Sequence, residues 1–192
     1  SLLGSLVDCL KLNLSRQQER VRLFEIGSCF ERAGSGYAQR KMVGGLAYGG
    51  AVAEQWGAPK RLVDFYDVKS DIESILTGRH PRFEPVQNTA LHPGRAAGIV
   101  VDGRRVGVLG QLHPALQQKY DLPNETICFE INLDAVLDAE LLQFKDFARQ
   151  PVVRRDIAVE VVETATVEAM VNVMKRAASG LVCDLAPFDV YR

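Results

Sequence analysis

Hydrophobic and polar positions follow two different periods along this chain, and each change of period marks the start of a predicted element. Leucine and valine recur at helical spacing between residues 2 and 18, which predicts an amphipathic helix. Residues 21–30 and 42–48 alternate as two strands, the first with a break of parity near Glu25 that a β-bulge would explain. The chain therefore opens on a helix followed by two strands.

The clearest helix of the chain lies between Asp64 and Gly78. Asp64 is a good N-cap residue, the apolar positions line one face, and Gly78 followed by a His-Pro pair ends the helix. The remaining pattern predicts a strand at 82–86, a short helix at 114–120, a strand at 126–133, and a helix that Asp134 caps and that runs to Leu142.

Asp102-Gly103 between two apolar runs is the strongest local signal, because both central residues of a type I′ hairpin turn need a positive φ. One face of this ribbon is then apolar almost throughout. The predicted register pairs Val101 with Arg104, Ile99 with Val106, and Ala97 with Val108.

Together these elements predict an α+β fold with an antiparallel sheet flanked by helices over residues 1–143, and a linker at 144–150. Residues 151–192 then read as strand 152–161, helix 167–178 and strand 181–191, the first half of a ferredoxin-like fold. That fold places another strand between these two, so they share no ladder here. We expect this piece to be frayed, exchanged with a neighbour, or supported by the larger domain.

Composition narrows the class of protein without identifying it. A chain of 192 residues with 47% hydrophobic and 24% charged residues is ordinary for a globular protein, and no apolar run is long enough to suggest a membrane span. The net charge of −1 provides no general field for nucleic acid. The first residues carry neither Met nor a secretion signal and read as the cut end of a longer protein. Four separated cysteines favour reduced thiols in a cytoplasm over zinc or disulfides.

Candidate catalytic groups are few, and each has a structural reading that we prefer. All three histidines precede proline, a spacing that favours structural roles over a metal site, and no partnered nucleophile supports a general base. The glycines near residue 44 lack the residues of a phosphate loop. We predict no catalytic, cofactor-binding or metal-binding residue, and a structural ion pair between Glu25 and Arg95.

Four segments in this order resemble the β subunit of bacterial phenylalanyl-tRNA synthetases. The first is Leu23-Phe24-Glu25-Ile26-Gly27, and the next begins with Phe65-Tyr66-Asp67-Val68-Lys69. The others are the hairpin at 92–114 and the segment 151–158, so the resemblance covers most of the chain. It implies a core like that of class II synthetases that has lost ATP and amino-acid binding, followed by the start of an anticodon-binding domain.

The resemblance also implies a role in protein biosynthesis. Such a ligase charges tRNA(Phe) in the cytoplasm with ATP and magnesium, as an α2β2 assembly whose chemistry belongs to the α subunit. This segment would then be an inactive scaffold and α-subunit interface, with the helix at 2–18 as the first candidate contact and Trp56 as a loop anchor or interface residue. The alternatives are a small-ligand-binding domain, or a stand-alone RNA-binding module.

Arg154 and Arg155 are the predicted RNA-binding residues, and this role comes from the resemblance alone. Two adjacent residues of a strand point to opposite faces, so at most one of them lies on a given RNA-facing surface. The competing reading is solvated charge with Asp156 as a partner.

Overall fold

The computed structural model describes residues 1–138, 151–178 and 180–191. These fall into two compact units, residues 1–144 and 145–192. The predicted linker at 144–150, and the predicted end of a helix at Leu142, lie outside the described residues.

The first unit is built on six antiparallel strands in the spatial order β1-β2-β6-β5-β4-β3, which confirms the predicted α+β fold with an antiparallel sheet. Most predicted elements are present with ends shifted by a few residues. The strands are β1 (Val21–Ala33), β2 (Gly36–Tyr48), β3 (Arg82–Pro85), β4 (Leu91–Val101), β5 (Arg104–Leu112) and β6 (Thr126–Asn132), and the helices are α1 (Leu3–Ser15), α2 (Phe65–Ile75), α3 (Pro114–Lys119) and α4 (Leu133–Leu137).

Strand β1 forms the edge of the sheet and runs beside β2 without interruption, from the pair Val21–Tyr48 to the pair Ala33–Gly36. The expected bulge near Glu25 is therefore wrong. The break of parity has another cause: Val21 faces the core, whereas Ile26 lies on the opposite face of the strand and is exposed. Apolar residues thus occupy both faces of this edge strand.

The β4–β5 hairpin turns at Asp102 and Gly103, both with positive φ as predicted. Val101 does pair with Arg104, but Ile99 pairs with Gly107 and Ala97 with Leu109, so the two inner predicted pairs are wrong. The register shifts by one residue between Ile99 and Val100 because the pairing skips Val106. The periodicity of the sequence does not reveal such a shift, because the predicted and observed registers differ by a single residue.

Helix α2 begins as the sequence predicts. The side chain of Asp64 accepts hydrogen bonds from the backbone N–H groups of Tyr66 and Asp67, and Asp67 in turn accepts from the N–H of Asp64. The N-cap of α4 was predicted wrongly. Asn132 fills that position, and its side chain accepts from the N–H of Asp134 at 3.0 Å.

Two hydrophobic layers cover opposite faces of the sheet. Alternate residues of β6 show this: Cys128 packs with α1, whereas Ile127 and Phe129 pack with α2. The α1 layer is centred on Leu6 and Leu10, and the α2 layer on residues such as Val68, Ile72, Leu76, Ile99 and Leu109.

The second unit contains one element among its described residues, the helix α5 (Val167–Ala177), which confirms the predicted helix. The side chain of Thr166 caps it by accepting from the N–H of Ala169 at 3.2 Å. In the described part of this unit, residues 152–161 and 181–191 carry no assigned strand, contrary to the prediction. A strand is defined by hydrogen bonds to a neighbour, and these two segments pair neither with each other nor with other described residues.

Candidate functional site

Helix α1 packs closely against one face of the sheet. Leu2, just before the helix, lies so close to the backbone of β1 that a Cβ atom added at Gly27 would stand 2.8 Å from its Cδ2 atom. A Cβ at Gly44 of β2 would stand 3.1 Å from Leu2 and 3.2 Å from Leu6. Gly44 therefore serves close packing against α1, whereas an added Cβ at its neighbour Gly45 would meet Phe129 of the α2 layer, so both glycines have the packing role that the sequence predicted for them.

Glu25 and Arg95 do not form the predicted ion pair. Glu25 accepts a hydrogen bond from the hydroxyl of Ser5 at 2.7 Å, which ties β1 to α1. Arg95 donates to Glu125 at 2.7 Å and to Gln111 at 2.8 Å, near the other end of the sheet. The prediction failed because it paired two charges without knowing that their strands lie on different sides of the sheet order.

Arg95 lines an open cleft of about 410 Å³ in this unit. Polar side chains of this cleft already bind one another, because Arg95 donates hydrogen bonds to both Gln111 and Glu125. The other lining residues are His92, Pro114, Gln117, Gln118 and Leu122. The cleft is shallow and polar, unlike the mostly apolar, enclosed pockets that bind small molecules.

A second cleft of about 380 Å³ lies between the start of β1 and the start of α2. Its arginines face its aspartates and backbone carbonyls. Arg22 donates to the carbonyl oxygens of Tyr48 at 2.8 Å and Gly50 at 2.9 Å, and burial together with the neighbouring Arg20 lowers the pKa of Arg22. Arg61 binds both carboxylate oxygens of Asp67 at 2.6 Å. These cations already have partners within the fold.

The ion pair between Arg61 and Asp67 is expected to make a small, pH-dependent contribution to stability. Hydrogen bonds from Arg61 lower the pKa of Asp67 to about 2, so the contribution is complete above the ordinary carboxyl pKa of about 4 and is lost as the pH falls through 2. Asp67→Asn keeps an oxygen for the N–H of Asp64 but loses the charge. We expect it to lower the free energy of unfolding by about 1 kcal/mol at pH 7.

Urea unfolding at several pH values measures this difference. The gap between Asp67→Asn and the parent chain should narrow as the pH falls from 4 toward 2, and Asp71→Asn on the same helix serves as the control without that ion pair. A gap that stays constant with pH would contradict the assignment.

His92, His113 and Cys128 have structural roles. The Nδ1 atoms of His92 and His113 accept hydrogen bonds from the N–H groups of Gly94 at 3.0 Å and Ala115 at 3.1 Å. Burial raises the pKa of the Cys128 thiol to about 12, which leaves it an inert thiol rather than a nucleophile. Across 1–138, 151–178 and 180–191, no group of three or more His, Cys, Asp or Glu residues could hold a metal ion.

Arg154 and Arg155 are exposed in the second unit. Arg154 approaches Asp156 at 3.5 Å, and Arg155 donates to the carbonyl oxygen of Arg154 at 3.0 Å. Both guanidinium groups can therefore reach a ligand, while their role in RNA binding stays a prediction. Trp56 in the first unit is fully exposed and does not anchor its loop.

The feature that sequence reasoning missed is a row of exposed apolar side chains on β1 and β2. Phe24, Ile26 and Phe30 alternate along β1, so they share one face, and Tyr37 lies on the same face of β2. Each of the four is at least 57% exposed. We call them the outer face; the signal for it in the sequence is the even spacing of Phe24, Ile26 and Phe30.

Comparison with known proteins gives a consistent result. The family model of the "Phenylalanyl tRNA synthetase beta chain CLM domain" matches residues 1–133. The chain is 45% identical over 192 residues to the phenylalanine–tRNA ligase β subunit of Nitrosospira multiformis, covering all of this chain and 24% of that protein. For the β subunit of Aromatoleum aromaticum, the identity is 47% over 196 residues, covering all of this chain and 25% of that protein.

The chain thus spans about a quarter of the length of the curated relatives that it matches. Among solved structures, it is similar to a pyrrolysyl-tRNA synthetase of Desulfitobacterium hafniense, with a TM-score of 0.49 and 14% identity over 71% of this chain and 46% of the other. Among the described residues, no helix is both long enough and apolar enough to cross a membrane.

Proposed function

Because this chain belongs to the phenylalanyl-tRNA synthetase β chain family, we propose that it acts as a structural part of phenylalanine–tRNA ligase and takes no direct part in the chemistry. In this proposal the first unit is a synthetase-like core kept as a scaffold. The larger protein would charge tRNA(Phe) with phenylalanine at the expense of ATP in the cytoplasm.

The observation that carries this proposal is the packing of α1 onto the sheet. Leu2 and Leu6 lie so close to Gly27 and Gly44 that an added Cβ atom would stand 2.8 to 3.2 Å from them, so hydrocarbon fills this part of the sheet face. A nucleotide needs a polar, concave surface with cations directed at its phosphates. Leucine side chains offer neither charge nor hydrogen bonds.

ATP and magnesium, which the whole enzyme is proposed to use, do not fit the described residues of this chain. The arginines that line its clefts are engaged: Arg95 with Glu125, Arg61 with Asp67, and Arg22 with backbone carbonyls. Glu125 and Asp67 are in turn held by Arg95 and Arg61. We therefore derive no step of the reaction through this chain and assign the chemistry to the α subunit.

Two partners follow from the proposal, the α subunit in an α2β2 assembly and tRNA(Phe). The second unit would be the beginning of a ferredoxin-like anticodon-binding domain, with Arg154 and Arg155 available to phosphates. Its helix α5 supports this, since Val167, Met170 and Met174 lie along one side of it. Segments 152–161 and 181–191 would become strands when a third strand pairs with them.

The test is pyrophosphate exchange. We expect the purified 192-residue chain, given phenylalanine, ATP and magnesium, to exchange labelled pyrophosphate no faster than a blank without protein. The isolated α subunit and the mixture of the two are the comparison samples. Exchange by this chain alone, saturating with phenylalanine, would show an organised active site and overturn the proposal.

The competing functions give different results in binding assays. A tRNA affinity of this chain alone that falls steeply with salt would favour a stand-alone RNA-binding module. Saturable binding of a small molecule in the cleft of Arg95 and Gln111 would favour a ligand-binding domain. A scaffold shows neither of these properties.

A further inference from the structure

The turn of the β4–β5 hairpin contains a dipeptide whose two residues can react with each other. Asp102 is the one aspartate of the sequence that glycine follows, and no asparagine is followed by glycine. Because glycine has no side chain, the backbone nitrogen of Gly103 is unhindered, and a Cβ atom added there would have no heavy atom within 4 Å. The side chain of Asp102 is 68% exposed. Water and the two reacting groups therefore have free access to this turn.

Arg79, just beyond the end of α2, holds the carboxylate of this dipeptide. Its Nη2 atom donates to Oδ2 of Asp102 at 2.5 Å, and its Nη1 atom donates to the backbone carbonyl oxygen of Asp138 at 2.6 Å. A planar guanidinium with two partners has a fixed direction, and the side chain of Arg79 is only 15% exposed. The carboxyl group of Asp102 must therefore leave Arg79 before it can turn toward the backbone nitrogen of the next residue.

We propose that Asp102 and Gly103 form a site of spontaneous isoaspartate formation, and that the ion pair with Arg79 restrains the reaction. In the first step the backbone nitrogen of Gly103 attacks Cγ of the neutral carboxyl group of Asp102. A C–N bond forms and a C–O bond breaks. The hydroxyl group that is lost leaves as water together with the proton of the nitrogen, and the product is a cyclic succinimide.

Water then opens the succinimide at one of its two carbonyl carbons. Cleavage of the bond between the nitrogen and Cγ restores aspartate. Cleavage of the bond between the nitrogen and the backbone carbonyl carbon leaves the chain running through the side chain of Asp102, which is isoaspartate. The water consumed equals the water released, so the change is an isomerisation that needs no oxidant or reductant.

The modification would weaken the hairpin. Isoaspartate adds a methylene group to the backbone of a turn that depends on a positive φ at both of its residues. The turn directly follows the pair Val101–Arg104, and the same two strands carry Ile99 and Leu109 into the α2 layer. By holding one carboxylate, Arg79 would therefore protect the packing of this face of the sheet.

The experiment measures isoaspartate at position 102 after prolonged incubation of the 192-residue chain at neutral pH. Mass spectrometry with electron-transfer fragmentation locates the modified residue, and methylation by protein isoaspartyl methyltransferase quantifies it. We expect Arg79→Leu to form isoaspartate about fivefold faster than the parent chain, because release of an ion pair of this kind contributes up to about that factor. A synthetic peptide of residues 98–107 has no fold and should react faster than either protein.

Ile99→Val is the matched control for a loosened hairpin. Ile99 is fully buried in β4, so its truncation weakens the packing of the hairpin and leaves Arg79 and Asp102 in place. We expect this variant to form isoaspartate at the parent rate. An acceleration equal to that of Arg79→Leu would show that opening of the hairpin controls the reaction, and the proposed role of the ion pair would fail.

Arg79→Lys keeps a positive charge but cannot bind Asp102 and Asp138 at once in the same geometry, so it should also react faster than the parent chain. This variant replaces Arg79→Leu if circular dichroism shows that the leucine variant is unfolded. Equal rates in the folded Arg79 variant and the parent chain would overturn the proposal. So would the absence of isoaspartate from both proteins while the peptide reacts.

Discussion

Replacing Gly49 by alanine is expected to lower the free energy of unfolding of the first unit by about 3 kcal/mol. Gly49 has a φ of +79°, which L residues adopt only with strain. A Cβ atom at this position would also stand 1.9 Å from the carbonyl oxygen of Glu19, which is a backbone atom and cannot rotate away. The end of β2 and the chain entering β1 would have to separate.

Urea denaturation followed by circular dichroism measures this loss, and Gly103→Ala provides the matched control. Gly103 in the β4–β5 turn has a similar φ of +75°, but no heavy atom lies within 4 Å of its added Cβ. The control should therefore lose only the conformational part, about 1 kcal/mol. Equal losses in the two variants would mean that the contact with Glu19 relaxes and that strain alone matters.

Leu10→Ala is expected to have an effect of similar size, about 3 kcal/mol, for a different reason. Leu10 is fully buried where α1 packs on the sheet, so truncation leaves a cavity between helix and strands. Leu12 on the same helix is half exposed, and Leu12→Ala should change stability by less than about 0.5 kcal/mol.

Thermal and urea unfolding of both α1 variants would measure the two effects. If Leu10→Ala is as mild as Leu12→Ala, then α1 is not firmly packed on the sheet, and the argument that its leucines fill this sheet face fails. An unchanged dependence of stability on urea concentration would show that the variants lose contacts rather than the compactness of the fold.

The parts of the fold that were predictable depend on local chemistry. The capping box of α2 needs only Asp64 and Asp67, and the β4–β5 turn needs only Asp102 and Gly103, so a short stretch of sequence contains the whole cause. The register of the two strands next to that turn, in contrast, is not determined by a short stretch of sequence. Skipping Val106 leaves Ile99 and Leu109 facing the α2 layer, and that choice is made by tertiary packing.

The strands predicted for the second unit were wrong because a strand, like a register, depends on residues far away in the sequence. Residues 152–161 have a strand pattern, yet a pattern describes only which residues face which side. The hydrogen-bonding partner must come from elsewhere in the chain, and none is present among the described residues. Helix α5 needs no such partner for its backbone, because its hydrogen bonds are internal.

The exposed apolar surface of the first unit could not be predicted from the sequence. The His-Pro pairs predicted structural roles for the histidines, and the imidazoles of His92 and His113 each accept a hydrogen bond from a nearby backbone N–H group. The outer face was hidden because the exposure of Phe24 and Phe30 depends on which strand lies at the edge of the sheet. Sheet order is a long-range property that one strand cannot reveal.

The two-sided construction of the sheet has a further consequence for how such a protein can change over evolutionary time. The α1 and α2 layers touch different side chains of the same strands, as Cys128 and Phe129 show, and communicate only through the peptide backbone between them. Substitutions in one layer can therefore accumulate while the other keeps the architecture intact. Replacements that fill space on the α1 side therefore need not disturb the side chains that hold α2 to the sheet.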